Sequence, residues 1–455
     1  MKKHTDISRS DPGHREDRRT FLKSAAATAT TGGLSATGLL AALNKNATAA
    51  SGDPIPIGCM TGLSGWPAAE ALETKRGFEM AIDEINAMGG ILGRPLEGHV
   101  IDTKNPSAES VTGAASRLID RYGVHAIVNG HNIGSQNAEY EPVADAGVIY
   151  IHTNTLISHR HVIESDPERY YGIFMGDPAE YWYGPGWLRF AAHLRDTGQW
   201  KPRNNKVALI AGSSDYSITI IKAAEQTAAD FGWDIVIGPE IVKTPTTEWG
   251  PVLAKLREAD PALLLHSHLA AGDIAQFMRQ FRQDPTQTLI YFPWGPLQAA
   301  FREIGGADVE GVIGSTVMGL LEDDMGRSFQ SAYDKRYDLD PGGTGAISGC
   351  VPYGLLHHYA VAAAVAGGTG EPGDYEQNRR ISQVLKRFPF RTVFGSIKYH
   401  PEWQSAVPYP DLEENDPSLG MPHLFYQVQD HTQQPKLIAP VPYDANDFQL
   451  PAWLS

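Results

Sequence analysis

From Ile55 onward the chain alternates short apolar runs with longer stretches in which apolar residues recur every three or four positions. That alternation is the pattern of parallel strands flanked by helices. The apolar runs predict strands at 55–60, 99–102, 126–129, 148–152, 207–211, 235–237, 262–266, 289–292 and 312–317. The clearest helix follows Phe78, Ala81, Ile82, Ile85 and Met88, one face of a 3.6-residue period, and stops at Gly89-Gly90, where a left-handed cap is easily adopted. Further helices are predicted at 107–121, 180–197, 217–231, 248–258, 272–282, 349–366 and 376–388. Nine strands exceed a comfortable single open sheet, and the polar run 197–205 breaks the rhythm, so two sheets in two lobes are expected. The fold class is α/β. After Phe394 the chain becomes rich in aromatics and proline, with Tyr399-His400-Pro401 and Phe425-Tyr426-Gln427, and reads as a strand followed by irregular chain packed on a lobe. Ligands of doubly wound sheets bind beyond the carboxyl ends of strands, so the loops after strands are where chemistry is sought.

The first fifty residues do not share this rhythm. Asp17-Arg18-Arg19-Thr20-Phe21-Leu22-Lys23 precedes a weakly apolar stretch from Ala25 to Leu43. Paired arginines ahead of Phe-Leu-Lys resemble a twin-arginine export signal, with Asp17 standing where that pattern usually has Ser or Thr. Three glycines and five threonines make the segment too polar to remain in a bilayer, and small residues at Ala47 and Ala49 suit cleavage near residue 50. The formal net charge of the whole chain is -15. Residues 51–455 keep 30 Lys and Arg against 49 Asp and Glu, a balance that argues against nucleic acid or an anionic membrane as partner. Two cysteines, Cys59 and Cys350, are compatible with one disulfide in an oxidising compartment, but Cys59 falls inside an apolar strand and buried thiols are the preferred reading.

Enzyme motifs fail in turn. The chain has no Gly-x-Gly-x-x-Gly after a strand, no phosphate-binding Gly-x-x-x-x-Gly-Lys-Ser/Thr, no Gly-x-Ser-x-Gly elbow and no His-Glu-x-x-His. His266-Ser267-His268 and His159-Arg160-His161 each lack a third ligand at helical or hairpin spacing, and His357-His358 faces two directions of a helix. No metal, cofactor or catalytic residue is therefore expected, and the chain reads as not an enzyme.

Three segments together carry a resemblance: Ile55 to Gly65, a strand ending in Thr61-Gly62-Leu63-Ser64-Gly65; Ala81-Ile82-Asp83-Glu84-Ile85-Asn86-Ala87-Met88-Gly89-Gly90-Ile91-Leu92-Gly93-Arg94-Pro95-Leu96; and Ile210-Ala211-Gly212-Ser213-Ser214-Asp215-Tyr216. In this order they resemble the type I periplasmic solute-binding proteins, the class of the Leu/Ile/Val-binding proteins and the amide and urea receptors. The resemblance implies a two-lobed fold, each lobe a doubly wound, mostly parallel sheet flanked by helices, with three hinge crossings. It places residues 53–177 and 318–392 in lobe one and 178–317 and 393–455 in lobe two. The crossings are expected near 175–178, 316–319 and 392–395.

Matching loops carries the ligand positions over. Lobe one offers Ser64, Gly65, Trp66 and Glu70 after the first strand, then His131, Asn132, Ile133, Gly134 and Ser135, then Thr153, Asn154 and Thr155 after His152. Lobe two offers Tyr216, then His268, Leu269 and Ala270, then Trp294. In amino-acid binders of this class the position matching Trp294 is a glutamate that pairs with the ligand ammonium. Burying an ammonium without a counter-charge is costly, so the balance shifts toward a ligand lacking a free amine, unless Glu70 or Asp215 compensates. Trp66 and Trp294 on opposing lobes could then close over a flat or apolar body.

The resemblance implies a periplasmic substrate-binding protein of an ATP-driven importer. It would be a monomer that is not membrane-inserted after cleavage, capturing a small polar organic molecule (amino acid, amide, urea-like compound, carboxylate or aromatic acid) for permease and ATPase subunits of the inner membrane. A periplasmic ligand sensor of the same fold, signalling through a partner protein, is the alternative.

Overall fold

The computed structural model describes residues 52–65, 67–132, 136–339, 345–409, 420–440, 443 and 446–454. The proposed export signal, and with it Trp66, Ile133, Gly134 and Ser135, lies outside the described residues.

Five strands, β1 (Ile55–Thr61), β2 (Leu96–Asp102), β3 (Ala126–Val128), β4 (Ile149–His152) and β5 (Ile173–Met175), form one sheet in the order β2-β1-β3-β4-β5, with every pairing parallel. Its helices are α1 (Ala68–Ala87), α2 (Ala108–Tyr122), α3 (Tyr140–Ala146) and α4 (Ser158–Ser165). The chain then passes to α5 (Tyr183–Asp196) and a second sheet, built from β6 (Lys206–Gly212), β7 (Asp234–Val242), β8 (Leu263–His266), β9 (Leu289–Tyr291) and β10 (Ile313–Thr316) in the order β7-β6-β8-β9-β10. Between these strands lie α6 (Asp215–Thr227), α7 (Gly250–Ala259), α8 (Ala271–Phe281) and α9 (Ala299–Gly305). The parallel part of each sheet thus repeats one strand order. In each, the first strand sits inside the sheet and the connections diverge on either side of it, which opens a crevice at the carboxyl edge.

After β10 the chain returns to the first sheet as α10 (Asp324–Tyr337), α11 (Gly345–Ala366) and α12 (Tyr375–Arg387), followed by the hairpin β11 (Phe390–Thr392) and β12 (Gly395–Ile397). It ends with β13 (Leu424–Gln427) and β14 (Lys436–Ala439), antiparallel strands that extend the second sheet beside β10. The expected crossing at 392–395 is instead the turn of this hairpin. Phe390, Val393, Phe394, Ile397, Tyr399 and Ala406 pack in the core of the first sheet, and the chain joins the second core only with Leu424 and Phe425. Strand β5 and helices α3, α4, α9 and α10 were not predicted. Helices α3, α4 and α9, of seven or eight residues, give too few repeats of the period to stand out, and the 14 residues of α10 are mostly polar, with only Gly326, Phe329, Tyr333 and Asp334 buried.

Helix α11 is apolar on nearly all sides, with Cys350, Leu355, Leu356, Tyr359, Ala360 and Ala363 fully buried. Such a helix belongs in a core or a bilayer. It lies in a core, against α1, α12 and strands β3 and β4. Among the described residues no helix is long and apolar enough to cross a membrane. Cys59 and Cys350 are both free and buried. The α1–α11 contact is close because Gly77 faces Gly349: a Cβ at Gly77 would stand 1.9 Å from the Gly349 carbonyl oxygen. At the end of α1, Gly89 and Gly90 take φ of 97° and 69°, and a second turn closed by Ile91 and Arg94 leads the chain into β2.

Gly77→Ala is expected to lower the unfolding free energy by about 1–3 kcal/mol, because the helices must part. Gly113→Ala, on the open face of α2 where a Cβ meets nothing within 4 Å, should raise it by about 0.4–1 kcal/mol. Urea unfolding of the two variants checks the pair.

Candidate functional site

The carboxyl edges of the two sheets share a cleft of about 420 Å³ with mostly apolar walls. From the first sheet come Glu70 and Thr74 of α1, Gly130 and His131 after β3, and Thr153 and Thr155 after β4. From the second come Tyr183, Tyr216, Ser217, Leu269, Ala270 and Trp294, while Met318, Ile347 and Val351 add apolar surface from the second passage and α11. Of the predicted positions, Glu70, His131, Thr153, Thr155, Tyr216, Leu269, Ala270 and Trp294 therefore meet at one cleft.

Others stand behind it. Ser64 is pinned to Asp102, its backbone N–H 3.3 Å from Oδ1 and its hydroxyl on Oδ2, and Gly65 packs against the Lys104 carbonyl. Asn132 and Asn154 are fully buried; the Asn132 N–H donates to Asn154 Oδ1 at 2.9 Å, and Asn154 Nδ2 donates to Glu139 Oε1 at 2.9 Å and to Asn137 Oδ1 at 2.8 Å. They support the loops that carry His131 and Thr153 rather than lining the cleft. His268 is fully buried beneath it, with Nε2 2.7 Å from Asp273 Oδ2.

Local structure aims the side chains that do line it. Ser214 caps α6 by accepting from the Ser217 N–H, which sets Tyr216 in the first turn. Tyr183, which sequence reasoning missed, begins α5, and its hydroxyl accepts the Val317 N–H at 3.3 Å, tying the first passage between sheets to the second. Thr153 lines the cleft, and its buried Oγ1 has no partner within the protein, an unusual state for a buried hydroxyl.

Glu70 is the charged centre. Its Oε2 lies 3.1 Å from His131 Nε2, and its Oε1 accepts from Trp294 Nε1 at 3.4 Å, a contact that spans the cleft. Burial opposes ionisation, but hydrogen bonds from His131 and Trp294 and the attraction of His131 hold the carboxyl below its ordinary range.

Two short passages reach the cleft from below. The Gly176 N–H donates to the His152 carbonyl at 2.7 Å, the Glu180 N–H to the Thr155 carbonyl at 3.0 Å, and the Ile157 N–H to Glu180 Oε2 at 2.7 Å. The first passage and the Thr153–Thr155 loop are thereby one unit.

A family model described as periplasmic binding protein matches residues 54–408. The chain belongs to the periplasmic binding protein family. It is similar to a protein from Silicibacter pomeroyi provisionally named as a branched-chain amino acid ABC transporter, whose crystal structure superposes with a TM-score of 0.85 at 44% identity over 88% of this chain and 100% of that one. The leucine-, isoleucine-, valine-, threonine-, and alanine-binding protein of Pseudomonas aeruginosa is 22% identical over 349 residues, covering 76% of this chain and 86% of its own. The branched-chain amino acid transporter substrate-binding protein of Streptococcus pneumoniae, solved with isoleucine, shares the fold with a TM-score of 0.63 at 19% identity, over 85% of this chain and 98% of that one. As a member of this family the chain is a small-ligand-binding protein of the periplasm.

Glu180 allows a pH test of the first passage. Burial pushes its carboxyl up from 4.5 to about 7 against the Ile157 hydrogen bond. A carboxyl raised on folding binds its proton more tightly in the folded chain, so its contribution is complete below the ordinary value and is lost as pH rises through the folded one. The unfolding free energy is expected to fall by up to about 3 kcal/mol more in the wild type than in Glu180→Gln between about pH 4.5 and 8, measured by urea unfolding across that range.

Proposed function

We propose that the chain is the exported substrate-binding component of an ABC importer and that its ligand is a small amphipathic acid or amide without a free amine. The observation that carries this is the make-up of the cleft wall. The cleft takes apolar surface from Trp294 and Leu269 on the second sheet and from Met318 and Val351 beside the first, and its wall includes Thr153, whose buried hydroxyl has no partner in the protein. A ligand touching both sheets binds the closed arrangement better than the open one, and only that difference can drive closure. Trp294 stands where the amino-acid binders of the resemblance place a glutamate, which supports a ligand lacking an ammonium. Ser64, Gly65, Asn132, Asn154 and His268 are assigned a supporting part around the contact residues Glu70, His131, Thr153, Thr155, Tyr216, Ala270 and Trp294, while Trp66, Ile133, Gly134 and Ser135 keep their assignment as ligand contacts. Arg18-Arg19 and the weakly apolar stretch behind them support export by the twin-arginine route.

Branched-chain amino acids are the second reading, favoured by the Silicibacter relative and by the ionised Glu70 inside the cleft. Its two oxygens already face His131 and Trp294, so an ammonium must displace or share one of these contacts.

Residues 51–455, freed of co-purified ligand by unfolding and refolding, are to be screened by thermal shift against L-leucine, 4-methyl-2-oxopentanoate, aromatic acids, short amides and urea. A ligand at 100 times its dissociation constant adds about 2.7 kcal/mol, enough to move the melting curve. Stabilisation by the oxo acid or an amide, weakened about tenfold or more by Trp294→Ala and by Tyr216→Ala, is the expected result. Stabilisation confined to branched-chain amino acids and lost in Glu70→Gln would transfer the assignment to the second reading.

A further inference from the structure

Thr155 lines the cleft with a backbone φ of 57°, a left-handed conformation rare for a β-branched residue. Its hydroxyl lies within hydrogen-bonding reach of two oxygens, the Thr153 carbonyl at 3.1 Å and Asp177 Oδ2. A threonine hydroxyl has one proton to give, and a carbonyl oxygen can only accept. Both contacts are made together when Thr155 donates to Thr153 and Asp177 donates to Thr155. An ionised Asp177 would leave two acceptors competing for one proton.

We propose that Asp177 is a positioning residue whose carboxyl carries a proton at neutral pH, and that this proton holds Thr155 and the cleft wall around it in the ligand-ready conformation. The inference rests on the cleft being the ligand site.

The surroundings of Asp177 favour the neutral form. The side chain is fully buried, and its Oδ1 has no hydrogen-bond partner in the protein. Besides Thr155, the groups that face it are Glu180 in its own passage, Tyr140 of α3, Tyr183 of α5 and Tyr399 beyond β12, and none of these is a cation. Burial, above all, holds the carboxyl well above the usual range, with Glu180 adding to it; donation to the carboxylate by the Thr155 hydroxyl or by the Asp177 backbone N–H would favour ionisation, and burial outweighs both. Ionisation would place an unpaired charge in this pocket and remove the donor at once.

Three measurements on residues 51–455 test this. In carbon-13 NMR spectra, the Asp177 carboxyl, assigned by its loss in Asp177→Asn, should keep its protonated shift at about pH 7; titration near the ordinary value of about 3.9 would overturn the proposal. Amide hydrogen exchange at 153–157 should be preserved in Asp177→Asn, whose amide can still donate, and accelerated about tenfold or more in Asp177→Leu and Thr155→Val, with α7 unchanged. Equal exchange in wild type, Asp177→Leu and Thr155→Val overturns it, and Thr155→Val keeps the test decisive should Asp177→Leu not fold. The affinity for L-leucine or 4-methyl-2-oxopentanoate, whichever binds the wild type, should weaken about tenfold or more in Asp177→Leu and by less than about threefold in Asp177→Asn. Equal weakening in both removes the role of the proton. Binding of neither probe to the wild type counts against the ligand reading alone, while titration and exchange still decide this one.

Discussion

The hydrogen bonds that stitch the passage at 176–180 to the loop at 152–157 make one site out of two sheets. The sheets have separate cores, and the cleft between their edges takes its shape from the segments that cross it. Gly176 and Glu180 give their N–H groups to His152 and Thr155, the Ile157 N–H returns to the Glu180 carboxylate, and Asp177 meets the Thr155 hydroxyl between them. These bonds tie residues 176–180 to the loop after β4, which belongs to the first sheet, before the Glu180–Trp182 turn leads into α5.

A second layer of buried polar groups makes that loop stiff. Tyr140 Oη lies 2.7 Å from both His152 Nε2 and His159 Nδ1, so one phenol proton goes to one ring and the other ring donates back. Burial keeps both imidazoles neutral at ordinary pH, holding His159 at about 4 and His152 well below its usual range. Beside them Asn154 bridges Asn137, Glu139 and Asn132. Polar groups in a core are costly unless paired, and a paired network tolerates few alternative arrangements. The loops carrying His131 and Thr153 inherit that restriction, so the polar half of the cleft is built before any ligand arrives.

How much of this was legible in the chain follows from what each part depends on. Nine of the ten parallel strands, all but β5, and helix α1 were readable because burial on a parallel sheet and on one helix face imposes a period on the residues themselves. The loops after β4 and β8 could be located as ligand loops, yet which residue of each faces the cleft could not. His268 and Asn154 differ from Leu269 and Thr155 only in contacts made with Asp273 and Glu139, which are distant or ambiguous in a linear reading. Tyr183, Met318, Ile347 and Val351 were missed because they lie in passages and in an apolar helix, where no strand end marks them. Asp177 gave no signal at all: a carboxylate after a short strand ordinarily reads as a solvated turn, and only the burial of the crossing makes it a neutral donor.

The contact from Trp294 to Glu70 bears on how such a protein discriminates. It joins the two sides of the cleft through protein groups alone. A binding protein with a partly closed resting population loses less affinity to conformational selection, because the apparent dissociation constant scales inversely with the competent fraction. The same contact sets a threshold on what can bind. A ligand whose amine competes for Glu70 must replace the Trp294 and His131 hydrogen bonds it displaces, whereas a neutral amide or an acid bound beside Thr153 leaves them in place. Trp294 thus occupies, through its indole N–H, one oxygen of the carboxylate that an ammonium would need.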